Sequence, residues 1–310
     1  MRQKLFTNSQ VLDALFNRVD YFTRNGHLAT AQNYRSTAHS FEKFLTLKNL
    51  ANTFFSTLTV KDYTQHLTME RMVKRNSLSF YLRILRATYV NMGGSSELFA
   101  DAFTSVEPTR KRALSGKVLK TLGDMSLSGS MAMWRDMFLF SFAARGMAFV
   151  DMATLKKIDI CNRYILYRRH KTGTPLSVMI EPCMEEIMNR WSEPDSTFVF
   201  PIIKTPGDQI KRFREYQSGL NAYNKALRTL AAQVGLPGLS SYSARHTWAT
   251  SAYNAGIPVS VISEGMGHST EKVTRIYLNQ MDNTIIDQAN RTLLRSLGLI
   301  HPNHKPNSHH

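Results

Sequence analysis

Residues 240–280 read SSYSARHTWATSAYNAGIPVSVISEGMGHSTEKVTRIYLNQ. Around Arg245 the apolar residues Ala244, Trp248, Ala249 and Tyr253 recur mostly at spacings of four, which predicts a helix. Gly265 and Gly267 read as a helix C-cap followed by a tight turn, with His268 at its tip. Tyr277 follows nine residues later on a second short helical run, TEKVTRIYL, which Ser269 or Thr270 can cap. An arginine, a histidine and a tyrosine working on one phosphate suit attack on a phosphodiester. A phenol, with a free pKa of roughly 10, needs help near neutrality. Nearby guanidinium groups favour the phenolate and hold two phosphate oxygens in a planar fork. A covalent phosphotyrosine then splits one hard step into two easier ones. Taken singly, each residue has a simpler reading: a core or rim tyrosine, a surface arginine, a structural histidine.

The order and spacing of the set shift that balance: A-R-H-T-W-A-T, then G-M-G-H-S, then R-I-Y. This string resembles the tyrosine recombinase (phage integrase) family, whose pattern runs H-x-x-R-H-S/T-F/W-A-T/S, then L-G-H-S, then a tyrosine nine residues past that histidine. Arg245, His246, Thr247, Trp248, Ala249 and Thr250 match the first part, Gly267, His268 and Ser269 the second, and Tyr277 the third. The chain departs at the first position of the pattern, where Tyr242 stands in place of a histidine. A phenol can donate a hydrogen bond to phosphate but is a poor general base near pH 7.

Composition is consistent with that chemistry. The chain has 310 residues, enough for two domains, and 39 Lys and Arg against 23 Asp and Glu give a formal charge of +16. Such a balance suggests a polyanionic partner, most simply nucleic acid, although a merely basic soluble protein has the same arithmetic. No strongly basic amphipathic helix stands apart to meet a membrane surface, and no apolar run approaches the roughly 18 residues of a membrane span. The first ten residues, MRQKLFTNSQ, lack the apolar core of a signal peptide. Cys161 and Cys183 make neither a metal-ligand spacing nor a disulfide framework, which fits a reducing, cytoplasmic setting.

Along the chain, residues 9–92 predict four helices. Val11, Leu12, Leu15, Phe16, Val19 and Phe22 line the first, closed by Asn25-Gly26; Tyr34, Ala38, Phe41, Phe44 and Leu45 line the second. Thr59 reads as the N-cap of the third, and Gly93-Gly94 ends the fourth. Arg35, Lys43, Arg71, Lys74, Arg75, Arg83 and Arg86 decorate these helices, either as a solvated face or as contacts to DNA phosphates. Residues 104–117 read as a linker, broken by Pro108 and carrying Arg110-Lys111-Arg112. Residues 130–144 predict a buried apolar helix, with Arg145 projecting from its C-terminal end, where an arginine can also simply cap carbonyls. Residues 158–180 alternate as strands and turn at Lys171-Thr172-Gly173-Thr174-Pro175; Arg168, Arg169 and His170 make this a tip able to bind phosphate without chemistry. Helices are predicted over 182–192, about 209–234 and 283–297, and the tail from 301 reads as disordered.

The resemblance covers about 130–280 and implies a mainly α fold: a helical core-binding domain (1–106), a basic linker (107–117), and an α+β catalytic domain with a small antiparallel β-sheet and a C-terminal helix (118–300). It implies Tyr277 as nucleophile, Arg145 and Arg245 as phosphate-binding cations, Lys171 as general acid, His268 as phosphate donor and Tyr242 as a helper. The family's acidic residue, three past its first arginine, is absent; Asp151, six past, is the substitute considered. Further implications are two double-stranded DNA sites held by a homotetramer, docking of the segment after Tyr277 on a neighbouring protomer, and neither a metal nor a nucleotide cofactor. A type IB topoisomerase-like enzyme and a catalytically weak DNA-binding regulator are the alternatives.

Overall fold

The computed structural model describes residues 4–107, 113–268, 270–275 and 293. The expected basic run at 110–112, Ser269, Tyr277, the helix over 283–297 apart from Leu293 and the tail lie outside them. The chain divides into two compact units, Met1–Arg110 and Lys111–His310.

The first unit is a bundle of four helices, α1 (Asn8–Arg24), α2 (Leu28–Lys48), α3 (Thr57–Gln65) and α4 (Arg75–Asn91). Thr7 opens α1 with a reciprocal capping box to Gln10, and Gly26 at φ 74° lets the chain turn sharply into α2. Burial follows the helical period: Val11, Leu15 and Val19 pack against Ala38, Phe41, Phe44 and Leu45, with Leu78, Leu82 and Leu85 from α4 closing the core. The cap of α3 corrects one expectation. Ser56, in an extended conformation, is the N-cap, and Thr59 sits at the third helical position, its hydroxyl returning to the Ser56 N–H at 3.3 Å. Both residue types cap helices, and backbone conformation selects the one that precedes the first helical turn.

The second unit begins with α5 (Gly116–Asp124), capped by Ser115, and is built around α6 (Gly129–Ala143). Trp134, Met137, Phe138 and Phe140 of α6 are buried, as the apolar run predicts. Arg135 and Asp136 are buried there too. Arg135 gives Nη1 to the carbonyls of Leu122, Gly123 and Met125 at 2.7–3.1 Å, ending α5. Asp136 accepts from Arg135 Nε at 2.6 Å, from Arg190 at 2.8 Å and from Trp191 at 2.8 Å, so both buried charges are paired. After α7 (Phe149–Thr154) come three antiparallel strands in the order β1 (Ile160–Cys161), β2 (Tyr164–Arg168), β3 (Pro175–Met179). Ile165 opposite Val178 turns inward to the core, while Tyr164, Leu166 and Met179 face out. Then follow α8 (Pro182–Trp191), α9 (Gln209–Gln233), α10 (Ser243–Asn254), α11 (Val259–Gly265) and α12 (Glu271–Arg275). Tyr223 of α9, fully buried, stacks on Phe149 at 4.8 Å and joins the long helix to α7. The architecture is the mainly α fold with one small antiparallel sheet that the sequence predicts. No helix among the described residues is long and apolar enough to cross a membrane.

Candidate active site

Arg245 enters the site from the first turn of α10 and is almost wholly buried, at 2 % exposure. Its guanidinium reaches across to two other chain segments. Nη1 donates to the Gly146 carbonyl at 2.8 Å, and Nη2 donates to the Met266 carbonyl at 2.7 Å and meets His268 Nε2 at 2.8 Å. One side chain thus joins α10, the loop after α6 and the turn after α11.

Those contacts fix the state of His268. A guanidinium nitrogen only donates, so Nε2 must accept, and the neutral ring carries its proton on Nδ1. Nδ1 lies 2.8 Å from Thr274 Oγ1, a hydroxyl on α12 with no exposure, so the histidine donates to the threonine. Burial and then the Arg245, Arg169 and Lys171 charges press the His268 pKa down to about 3, so the ring is neutral at pH 7. Thr274 stands three residues before Tyr277, at a position outside the sequence motif.

Arg145 follows the end of α6 with φ 57°, in the left-handed region that a non-glycine residue enters at a cost, and Gly146 follows at φ 72°. The unusual pair turns the chain back so that the Gly146 backbone lies against α10. A Cβ built on Gly146 would stand 2.7 Å from Arg245 Cα, closer than real contacts allow. Gly146→Ala is therefore expected to destabilise the second unit by roughly 2–4 kcal/mol, from left-handed strain plus overpacking. Thermal or urea unfolding of the purified variant reads this directly, and an unchanged midpoint contradicts the close packing. Arg145 itself is half-buried, with no hydrogen bond to its guanidinium among the described residues. It shares with His268, Trp248 and Leu176 a cleft of about 840 Å³.

The β2–β3 tip is held from two directions. Asp151 Oδ1 of α7 accepts from the His170 N–H at 2.8 Å, and Arg169 Nη1 donates to the Gly267 carbonyl at 2.7 Å. Lys171 is exposed at that tip and close enough to act on His268 through its charge. Burial raises the Asp151 pKa, against the opposing pull of the His170 N–H and of Arg169 and Arg245. Sequence spacing placed Asp151 near Arg145 but gave no hint that its carboxylate would reach the hairpin. Burial, and then the Asp151 charge, likewise raise the Tyr167 phenol, which lies within electrostatic reach of Arg145, Arg169 and Arg245. Tyr242 stands just before α10, 52 % exposed, and lines with Arg245, Phe149 and Tyr216 a small hollow of about 50 Å³. The structure thus brings together the elements carrying Arg145, Lys171, Arg245 and His268, with Tyr242 beside Arg245, whereas Tyr277 lies outside the described residues. Within the cluster the cations outnumber Asp151, an arrangement suited to an anion.

The model of the phage integrase family matches residues 112–284, more than half of the chain. The chain belongs to the phage integrase family. These are the tyrosine recombinases, and their fold recurs in solved structures. The Tn1549 transposon integrase in complex with a circular intermediate DNA aligns over 93 % of this chain and 99 % of that chain, at 14 % identity and a TM-score of 0.64. XerH site-specific recombinase bound to a palindromic difH substrate aligns over 86 % and 80 %, at 16 % identity and 0.59. A lambda integrase dimer bound to a COC′ core site aligns over 88 % and 77 %, at 15 % identity and 0.57. At these identities the likeness to individual integrases is one of fold. No curated protein matches the chain.

Proposed function

We propose that this phage integrase family member is a site-specific DNA recombinase that cuts and rejoins strands through a 3′-phosphotyrosyl link on Tyr277. The observation that carries the reading is the contact of buried Arg245 with half-buried His268, set against the Arg145 turn and the Lys171 hairpin in one positively charged cluster.

In the proposed reaction the Tyr277 oxygen bonds to the scissile phosphorus as the bond from phosphorus to the 5′-oxygen breaks. The tyrosine proton passes to solvent, and the Lys171 ammonium gives its proton to the departing 5′-oxygen. Arg145 and Arg245 stabilise the charge on the non-bridging oxygens. His268 first holds Arg245 through Nε2; where an arriving phosphate displaces that contact, its negative charge favours the imidazolium, so Nε2 takes a proton from solvent and donates to the same phosphate. Tyr242, exposed beside Arg245, donates from the other side. The partner strand's 5′-hydroxyl reverses the step, so the ester energy is kept in the phosphotyrosine without a metal or nucleotide. On this reading the helical first unit grips the core site, and two duplex sites meet in a tetramer.

The test uses a nicked duplex of the sequence that the full chain selects from a randomised library. An adduct that survives denaturation and maps by mass spectrometry to Tyr277 is expected. Tight specific binding with no adduct overturns the enzyme reading in favour of a regulator, with Tyr242 the first suspect. An adduct accompanied by supercoil relaxation, but no joining of two marked DNAs, points to topoisomerase-like chemistry.

A further inference from the structure

Arg169 is a buried cation that neither the β-hairpin nor the proposed phosphate contacts require. Its backbone is committed to the turn: N–H donates to the Thr174 carbonyl at 2.9 Å, and its own carbonyl accepts from the Gly173 N–H at 2.8 Å. The side chain then turns inward, to 8 % exposure, and runs beneath the turn that carries His268. The stem passes so near Gly267 that a Cβ there would meet Arg169 Cδ at 2.8 Å, and Gly267 also needs its φ of 63°. At the far end Nη1 donates to the Gly267 carbonyl at 2.7 Å, while Nε is buried without a hydrogen-bond partner among the described residues. Asp151 acts on this guanidinium only through space.

A guanidinium buried on one carbonyl is a poor device for stability, because its desolvation is incompletely offset. A methionine of similar length would fill the same channel without that cost. The bond does achieve a mechanical link. Arg169 is tied to the turn of His268, the next residue, His170, is tied by its N–H to Asp151, and Lys171 comes next. Two consecutive anchors precede the lysine, one on each neighbouring segment.

We propose that Arg169 is a positioning residue, locking the Lys171 hairpin to the Gly267–His268 turn so that the proton donor and the phosphate-binding pair keep one geometry. The proposal rests on the reading of Lys171 as the general acid, and the experiment separates the two.

Two versions of the nicked duplex are compared, one ordinary and one with sulfur replacing the 5′-bridging oxygen at the scissile phosphate. A thiol with a pKa of roughly 8.5 departs as thiolate without a proton donor. Arg169→Met is expected to slow cleavage of the ordinary duplex by about 10–100-fold, the cost of a misplaced catalytic group. The sulfur duplex should restore most of that loss, as it should for Lys171→Ala. A merely structural defect would persist on both duplexes. Arg169→Met slow on both, with Lys171→Ala restored by sulfur, overturns the proposal and leaves the lysine assignment standing. Lys171→Ala unrestored removes the general acid and the proposal with it, as does a wild type that cleaves neither duplex. Wild-type speed of Arg169→Met on the ordinary duplex also overturns the proposal. If Arg169→Met fails to fold, Arg169→Lys goes through the same pair: restoration by sulfur supports the link, and its absence overturns it.

Discussion

Tyr277→Phe is expected to abolish covalent attachment to DNA while leaving binding nearly intact. The substitution removes one oxygen and retains the ring, so the change in affinity should stay within about 0.5 kcal/mol. The rate should fall on the order of 10⁴–10⁶-fold, as when a covalent nucleophile is deleted elsewhere. A denaturing gel with the nicked duplex reads the adduct, and a mobility shift reads the binding. Retained attachment would sink the nucleophile assignment, and peptide mapping would then have one clear alternative to check. Tyr242 is a second phenol in reach of the Arg245 region, 52 % exposed and lining the same hollow as that arginine. A simultaneous loss of binding would point instead to Tyr277 as part of the DNA interface.

The sequence made the helix bearing Arg245 legible because its chemistry is local: apolar spacing and a motif in fixed order. The hairpin at Lys171 was legible for the same reason, since alternation and a Gly-Pro turn define it. Contacts that cross the chain were not. His170 meets Asp151 across 19 residues, and Arg169 meets Gly267 across 98. Nothing in the string Arg168-Arg169-His170 says that its middle residue turns inward while the flanking two remain exposed. Thr274 is similarly opaque, because a threonine on a short helix is usually solvent-facing and only folding places its hydroxyl on His268. Arg135 and Asp136 inside an apolar helix find their partners only in three dimensions, at the carbonyl end of α5 and at the Arg190–Trp191 pair. Local rules therefore recovered most of the elements, though neither α5 nor α7, while the connections that aim the candidate groups needed three dimensions.

Arg245→Lys retains the positive charge and is nonetheless expected to cost about 10²–10³ in the rate of adduct formation at saturating DNA. The reason is geometric. The guanidinium divides its donors between Gly146 O, Met266 O and His268 Nε2, at 2.7–2.8 Å, from two nitrogens. A lysine brings one nitrogen on a differently shaped stem and cannot span the three acceptors. At least one buried carbonyl is left without its donor, which should lower stability by roughly 1–3 kcal/mol. Freed of its arginine donor, the imidazole no longer has its proton fixed on Nδ1 by the contact at Nε2. Single-turnover cleavage at saturating DNA separates the two consequences, since instability that leaves the protein folded at the assay temperature does not slow the chemical step. A rate loss with unchanged affinity would mean that Arg245 acts in the transition state rather than in DNA binding. Wild-type cleavage by a stably folded Arg245→Lys would show that charge alone suffices, and that the fork joining α10, the Gly146 turn and His268 is scaffolding.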